Sequence, residues 1–181
     1  MTARLLLCLL FVSAAARAER SWIFERGQSL VTAEVGPRKA RLSAVSSGLA
    51  GRLNENDQGE LLAEVRIPLA SFDAGDKRRN EKVRETAAPA RFPEIVFQGK
   101  APAAEDGATV LTGTLTFHGE ARPFQIPLKL VRAGPMLYGH ATLALHLREF
   151  GVPVPDGLDD EVRIEVDAGL RPDNQKVASR G

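Results

Sequence analysis

Hydrophobic and polar residues alternate with a period of two along most of the chain. The clearest run covers residues 110–117, in which Leu111, Gly113, Leu115 and Phe117 alternate with threonines. Side chains of a strand point alternately to its two faces, so this run predicts a strand with one apolar face. Alternation resumes after a turn at residues 118–121, which predicts a hairpin. Pro127 predicts an unpaired side or a bulge in its second strand.

The same alternation predicts further strands elsewhere in the chain. They cover residues 29–35, 61–69, 94–98, 137–147 and 161–168, with shorter strands around Trp22 and Leu53. One helix is predicted at residues 76–85, starting after Asp73 or Asp76, and its apolar content is only Val83. About eight mostly antiparallel strands with so little helix predict a closed barrel or a sandwich. The helix is expected on the surface or across an opening.

The first 18 residues have the pattern of a cleavable secretory signal. Arg4 precedes an apolar run that is followed by small residues and an Ala-x-Ala site before Glu19. Cys8 is the only cysteine, and it lies inside this segment without the small residues that precede a lipoprotein cysteine. We therefore expect an exported, periplasmic or secreted chain that is soluble, with no lipid anchor and no thiol after cleavage.

The remaining chain has the length and charge of one neutral domain. About 163 residues normally form a single domain, which we place at residues 19–170, with a polar tail at 171–181 predicted to be disordered. Cleavage removes two of the 24 basic residues, so that 23 acidic residues leave a net charge of −1. This balance lacks the basic excess of nucleic-acid-binding proteins, and we expect no nucleic-acid partner.

Residues with catalytic or metal-binding chemistry do not form a motif. His140 and His146 share one strand face, but about 20 Å of extended strand separates them, so we expect no metal site. No serine lies in a Gly-x-Ser-x-Gly setting, and the Ser-Ser-Gly segment at 46–48 is interpreted as a flexible turn. Asp159 and Asp160 are explained by turn chemistry. A carboxylate pair that meets only in the folded protein remains open.

Several short motifs in order resemble the YceI-like family across residues 22–170. They are Ile-Pro-Leu-Ala-Ser-Phe-Asp-Ala-Gly at 67–75, Arg-Asn-Glu-Lys-Val-Arg at 79–84, Arg-Phe-Pro-Glu-Ile-Val-Phe at 91–97, the hairpin at 111–123, Glu-Phe-Gly-Val at 149–152 and Asp-Glu-Val at 160–162. Each motif is weak alone, and their order over one domain is more specific.

The resemblance implies an all-β fold, an antiparallel eight-stranded lipocalin-like barrel with a short helix near one opening. Members of the family are often exported bacterial proteins whose apolar cavity holds polyisoprenoid, isoprenoid quinone or fatty-acyl chains. The chain departs from the family pattern at three places. It has Val-Gly-Pro at 35–37 where members often have a histidine, Asn80 where they have aspartate, and Thr-Ala-Ala-Pro-Ala at 86–90 where they have two aromatic residues.

The family resemblance and the alternation together predict a binding protein without a cofactor, and not an enzyme. Its inward side chains would surround an isoprenoid or acyl tail: Val31, Val35, Val65, Ile67, Leu115, Phe117, Phe124, Ile126, Leu143, Leu145, Val162 and Ile164. Arg79, Lys82 and Arg84 are predicted at the cavity mouth, where cations suit an anionic head group. The same basic cluster is also explained as a solvated helix face.

Two other functions stay open at this point. The inward residues would equally fill a closed core, which would make the chain a periplasmic interaction or stress protein without a tunnel. A hydrolase or isomerase acting on small lipids is the third interpretation. Transient contact with a membrane or membrane protein, and homodimer formation, are further hypotheses about partners.

Overall fold

The computed structural model describes residues 19–36, 41–102, 107–154 and 159–174. The predicted signal segment and residues 175–181 of the predicted tail lie outside the described residues. The strands are β1 (Arg20–Val35), β2 (Leu42–Ser46), β3 (Ala50–Glu55), β4 (Leu61–Pro68), β5 (Glu94–Ala101), β6 (Ala108–Phe117), β7 (Glu120–Ala133), β8 (Met136–His146) and β9 (Glu161–Pro172). Between β4 and β5 lie a 3-10 turn, Leu69–Ser71, and a helix, α1 (Lys77–Ala87); a second 3-10 turn, Leu147–Phe150, follows β8.

Eight of these strands close into an antiparallel barrel. Their order is β1, β3, β4, β5, β6, β7, β8 and β9, and β9 returns to pair with β1. The closing seam runs from Trp22 opposite Pro172 to Val35 opposite Val162. The predicted eight-stranded antiparallel barrel with one short helix is therefore confirmed, and β2 is an additional strand.

The predicted strands around Trp22 and at 29–35 are one strand, β1. Its pairing with β9 changes register between Phe24 and Ser29, and Gly27 in this interval has a φ of 82°. A β-bulge of this kind inserts residues without ending the strand. Segment 26–28 is polar and contains a glycine, which is the composition of a turn, but the strand continues through it.

β2 is a short strand that the alternation does not predict. β2 and β3 pair with different parts of β1. Val35 of β1 pairs with Leu42 of β2, and Ile23 of β1 pairs with Arg52 of β3. The interruption between β2 and β3 follows Ser46, whose hydroxyl accepts a hydrogen bond from the N–H of Gly48 at 3.0 Å. A side chain that bonds to nearby backbone competes with strand pairing. Ser46 is buried, so the segment interpreted as a flexible turn is a hydrogen-bonded break in the sheet.

Pro127 lies where β7 gains a second neighbour. β7 pairs with β6 from Glu120 onward, whereas its pairing with β8 begins only at Leu128, opposite Ala141. Proline has no N–H to donate and is tolerated on an unpaired strand side. The unpaired side predicted from Pro127 is present, and β7 and β8 are not paired before Leu128.

An end strap formed by Trp22, Glu55 and Arg132 lies at one end of the barrel. β3 and β7, which carry Glu55 and Arg132, lie opposite one another in the eight-stranded ring. Arg132 Nη2 donates to Glu55 Oε2 at 2.8 Å, and its guanidinium lies 4.9 Å from the centre of the Trp22 ring. Arg20 adds a cation 3.9 Å from the same carboxylate oxygen. The strap therefore connects opposite walls of the barrel.

β9 continues into the predicted tail. Arg171 pairs with Ile23 and Pro172 with Trp22, and Arg171 Nε lies 2.7 Å from Glu25 Oε2. The strand extends because the beginning of β1 offers it a partner, which local composition does not reveal. Among the described residues, no helix has the length and apolar character needed to cross a membrane.

Replacing Arg132 with methionine tests the end strap. Glu55 is 4% exposed, so Arg132→Met removes a 2.8 Å charged hydrogen bond from a buried carboxylate. Breaking a buried pair costs about 3–5 kcal/mol, but Arg132 is 43% exposed, so we expect the free energy of unfolding to fall by about 1–2 kcal/mol. Urea denaturation measures the loss.

Arg52→Met is the matched control. Arg52 pairs with Glu64 at 3.9 Å between two exposed side chains, so the free energy of unfolding should change by less than about 0.5 kcal/mol. Equal losses in the two variants would contradict a structural role for the strap.

Candidate functional site

Two apolar cavities lie inside the barrel. The outer cavity, next to α1, has a volume of about 130 Å³, and the inner cavity has a volume of about 120 Å³. Four residues line both of them: Phe72, Ile95, Leu145 and Ile164. The two cavities are therefore adjacent, and these four side chains, which we call the neck, lie at their boundary.

The interior is hollow in its inner half. Ile126, Leu128 and Leu130 of β7 point inward, yet they are only partly buried, because the inner cavity lies against them. Apolar side chains that border an empty space lack contact partners on that side, and an apolar occupant would supply those contacts.

Eleven of the twelve predicted inward residues line the cavities. Those at the inner cavity alone are Val31, Val65, Ile67, Leu115, Ile126 and Leu143, and those at the outer cavity alone are Val35, Phe117 and Val162. Leu145 and Ile164 line both. Phe124 lines neither cavity; it is half-buried and packs against the core. The period-two pattern thus places one face of each strand correctly, while it cannot locate the voids.

Helix α1 covers the outer cavity with one face. Lys82, Val83, Thr86 and Ala87 line this cavity, because residues three or four positions apart share a helix face. The helix begins after Asp76, whose carboxylate accepts a hydrogen bond from the N–H of Arg79 at 2.9 Å. The helix thus covers a cavity, which agrees with the second of the two expected positions, on the surface or across an opening.

Only one of the three predicted mouth cations lines a cavity. Lys82 lines the outer cavity. Arg79 lies with its Nε 3.1 Å from Asp76 Oδ2, and Arg84 contributes to the electrostatic environment of Asp73. Both arginines are exposed and line neither cavity. Arg79 pairs with Asp76 of the helix cap and Arg84 acts on Asp73 of the preceding turn. These interactions explain why the two arginines lie away from the cavities.

The turn before α1 is held by Asn80. Its side-chain amide donates to Asp73 Oδ1 at 2.8 Å and its carbonyl oxygen accepts from the N–H of Ala74 at 2.7 Å. The Asn80 hydrogen bond, the Gly75 N–H and the nearby Arg84 charge hold the pKa of Asp73 below its usual value. Asn80 therefore fixes the turn from which the helix starts.

Other cavity-lining residues are not predicted by the sequence analysis. Leu128, Leu130 and Val166 continue the inward parity of predicted strands, so extending the alternation would find them. Phe72 lies just after the 3-10 turn, where no repeating pattern assigns a direction. Small inward residues also line the cavities: Ala33, Ala44, Ala63, Gly139 and Ala141.

The three histidines lie outside the cavities. The ring centre of His118 is 4.0 Å from that of Phe92, and His146 lies 3.6 Å from Asp160. His140 Nδ1 is 2.8 Å from Asp167 Oδ1, and these groups and Glu165 have ligand atoms within 4.8 Å of one another, a spacing that fits a metal ion. This cluster joins β8 and β9 through pairing, so spacing along one strand does not indicate it. Its acidic members are exposed.

The fold and the motif order identify the family. A YceI-like domain model matches residues 22–170. The chain belongs to the YceI-like family. This membership confirms the resemblance of the motifs at 67–97 and of those that follow. No curated protein matches the chain.

Solved structures of YceI-like fold resemble the chain at low sequence identity. Burkholderia cenocepacia BcnA is 20% identical with a TM-score of 0.74, covering 81% of this chain and 98% of that one. A polyisoprenoid binding domain from Saccharophagus degradans, implicated in plant cell wall breakdown, is 13% identical with a TM-score of 0.65, covering 84% and 99%. Campylobacter jejuni YCEI protein is 14% identical with a TM-score of 0.55, covering 61% and 71%. These similarities establish a common fold.

Asn80 replaces the aspartate expected from the family pattern, and the reverse substitution tests its role. In Asn80→Asp the donor to Asp73 is lost and a second carboxylate takes its place, so repulsion should lower the unfolding temperature at pH 7. In the native chain, the interactions that lower the pKa of Asp73 stabilise the fold at pH values above the unfolded-state pKa of this residue. This stabilisation is lost as the pH falls through the folded-state pKa. Protonation relieves the repulsion in the variant. The difference in unfolding temperature between Asn80→Asp and the native chain should therefore be smaller at pH 4 than at pH 7.

Asn80→Ala separates charge repulsion from loss of the hydrogen bonds. It removes both side-chain hydrogen bonds without adding a charge. The difference in its unfolding temperature from the native chain should therefore change less between pH 7 and pH 4. Thermal unfolding of all three proteins at both pH values measures the difference. Identical pH dependence of the two variants would contradict the repulsion mechanism.

Proposed function

We propose that this YceI-like protein binds a hydrophobic long-chain ligand, an isoprenoid or a fatty-acyl lipid, inside its barrel. The observation that carries the proposal is the pair of adjacent apolar cavities, lined by hydrocarbon side chains from every barrel strand. Burial of a ligand tail provides about 25 cal/mol per Å² of apolar area, from which the cost of association is subtracted. The polyisoprenoid-binding description of the Saccharophagus degradans domain supports the same ligand class.

The cavity chemistry favours binding over catalysis. Among the residues that line the two cavities, the polar side chains are Lys82 and Thr86, both on α1. General acid-base and nucleophilic catalysis need a nucleophile or base held near a partner that activates it. The lining residues contain no such pair, so a carrier or sequestering role is the better proposal than a hydrolase or isomerase.

The tunnel-less barrel is the weaker of the remaining interpretations. A core filled by its own side chains should bury its inward residues, whereas Ile126, Leu128 and Leu130 remain partly exposed to the inner cavity. The small inward residues Ala63 and Gly139 add to the empty space. These features support a barrel that receives a ligand.

Filling the inner cavity with a side chain tests the proposal. A Cβ atom at Gly139 would meet Leu128 and Leu130 at 3.6 Å, an ordinary contact distance. Gly139→Leu should fit and occupy the ligand volume. We expect the ligand-free variant to unfold at a higher temperature, because the void is filled. Its affinity for an added prenyl quinone should fall at least about tenfold, which corresponds to about 1.4 kcal/mol of lost burial.

Tyr138→Leu is the matched control. Tyr138 is the neighbouring residue on the outer face and is 41% exposed, so the same side chain introduced there should leave quinone binding unchanged. Quinone binding is measured by titration, and lipids that co-purify are identified by mass spectrometry of an organic extract. If the unaltered protein neither retains a lipid nor takes up the quinone, the proposed function is wrong.

We also propose that the chain is exported and that cleavage occurs before Glu19. β1 begins at Arg20, so cleavage there would keep every described strand. The protein recovered from a periplasmic fraction should have the mass of a chain that begins at Glu19. Ala18→Leu should retain the uncleaved precursor, since the cleavage site requires a small residue. A full-length chain found only in the cytoplasm would contradict export.

A further inference from the structure

Polarity is confined to one end of the two cavities. The inner cavity is lined only by apolar side chains and Gly139, and the outer cavity adds Lys82 and Thr86. Both polar residues project from α1, one helical turn apart. A polar atom placed in the inner cavity would lose its hydrogen bonds to water without replacement, which is unfavourable. The polar end of an amphiphilic ligand should therefore lie beside α1.

At the opposite end of the barrel, the charged side chains of the end strap contact one another. The end strap connects Glu55 and Arg132 across the barrel at 2.8 Å, with Arg132 stacked over Trp22. Trp22 is 5% exposed, and its indole N–H donates to the carbonyl oxygen of Pro135 at 3.3 Å. The charges of the end strap are thus engaged with one another. A ligand would enter tail first from the α1 end.

Lys82 has a positive charge without a partner in the described part of the chain. Lys77 lies 4.0 Å from Glu81, Arg79 lies 3.1 Å from Asp76, and Arg84 acts on Asp73. No carboxylate of the described residues lies within 4.0 Å of the Lys82 ammonium, including Glu85 at i+3. Lysine covers apolar surface with its methylene stem and keeps its ammonium toward water. This geometry suits contact with a ligand at the water-facing end of the outer cavity.

We propose that the barrel selects a single-chain lipid with an anionic head group, a phosphate or a carboxylate, and that Lys82 binds this group. The inference rests on the proposed function, because the apolar tail must occupy the cavities. The ammonium would form a charge-assisted hydrogen bond with the head group, and the hydroxyl of Thr86, which lines the same cavity, would donate a second one. A neutral head group would gain nothing from the charge of Lys82. Head-group charge is then a determinant of specificity.

Farnesyl phosphate and farnesol provide a direct test, because they share one tail and differ in head-group charge. We expect the unaltered protein to bind farnesyl phosphate about five- to tenfold more tightly than farnesol, the range of a partly desolvated charged contact. Raising the ionic strength should reduce this preference, since salt screens a contact at the cavity mouth. Inorganic phosphate alone should not bind measurably, because the tail supplies most of the affinity.

Two substitutions at the same position isolate the charge. Lys82→Met keeps an unbranched side chain without the ammonium, so the two ligands should bind within about twofold of each other. Lys82→Arg keeps the charge and should keep the preference. Lys77→Met is the matched control on the same helix, since Lys77 is 92% exposed and lines neither cavity. It should leave the preference unchanged.

The outcomes separate this inference from the proposed function. If both lipids bind equally and Lys82→Met has no effect, the anionic selectivity is wrong while the binding function stands. If Lys77→Met removes the preference as fully as Lys82→Met, the general charge of α1 and not Lys82 is responsible. Failure of both lipids to bind would refute the binding function itself, and measurable binding of inorganic phosphate alone would refute a site built around a lipid.

Discussion

The pairing of β1 with β9 is the interaction on which the rest of the structure depends. It runs from Trp22 opposite Pro172 to Val35 opposite Val162 and converts an open sheet into a ring. Once the ring is closed, every second side chain of a strand must point inward. The apolar half of each alternating pattern therefore surrounds a common interior, whether or not that interior is full.

The size of the inward side chains then determines how much of the interior is empty. An eight-stranded barrel is just wide enough for its own side chains to fill it or for one slender ligand to occupy it. This chain has Ala63, Ala141 and Gly139 at the inner cavity, and Ala33 and Ala44 at the outer cavity. These small residues leave space that Leu or Phe at the same positions would occupy. The cavities follow from the choice of side-chain volume within an otherwise regular barrel.

The sequence predicts the faces of the strands better than their lengths. Alternation assigns Leu115 and Phe117 to the interior because it depends only on local geometry. It does not join the two halves of β1, since the bulge near Gly27 has the composition of a turn, and it misses β2, since five residues give too few repeats. It also stops β9 early, because the continuation through Pro172 depends on a partner in β1.

The position of the site is less predictable than the direction of its side chains. Leu145 and Ile164 are identified by parity alone, whereas the neck also requires Phe72, which follows a 3-10 turn and has no periodic neighbours. The separation of Lys82 from Arg79 and Arg84 depends on Asp76 and Asp73, whose side chains contact or approach the arginines only after the turn has folded. A count of charges along the helix treats all three cations as equivalent. Contacts between side chains decide which cation remains available.

The two ends of the barrel differ in how their charged side chains are arranged. At one end the carboxylate of Glu55 is buried and balanced by Arg132 and Arg20, and Trp22 packs under the guanidinium. At the other end α1 has no buried residue, so fewer contacts oppose its displacement. A segment with few buried contacts opens at lower free-energy cost than a buried, paired one. For the proposed ligand, entry beside α1 would therefore require less disruption than entry through the strap, and it would place Lys82 next to the head group once the tail has passed the neck.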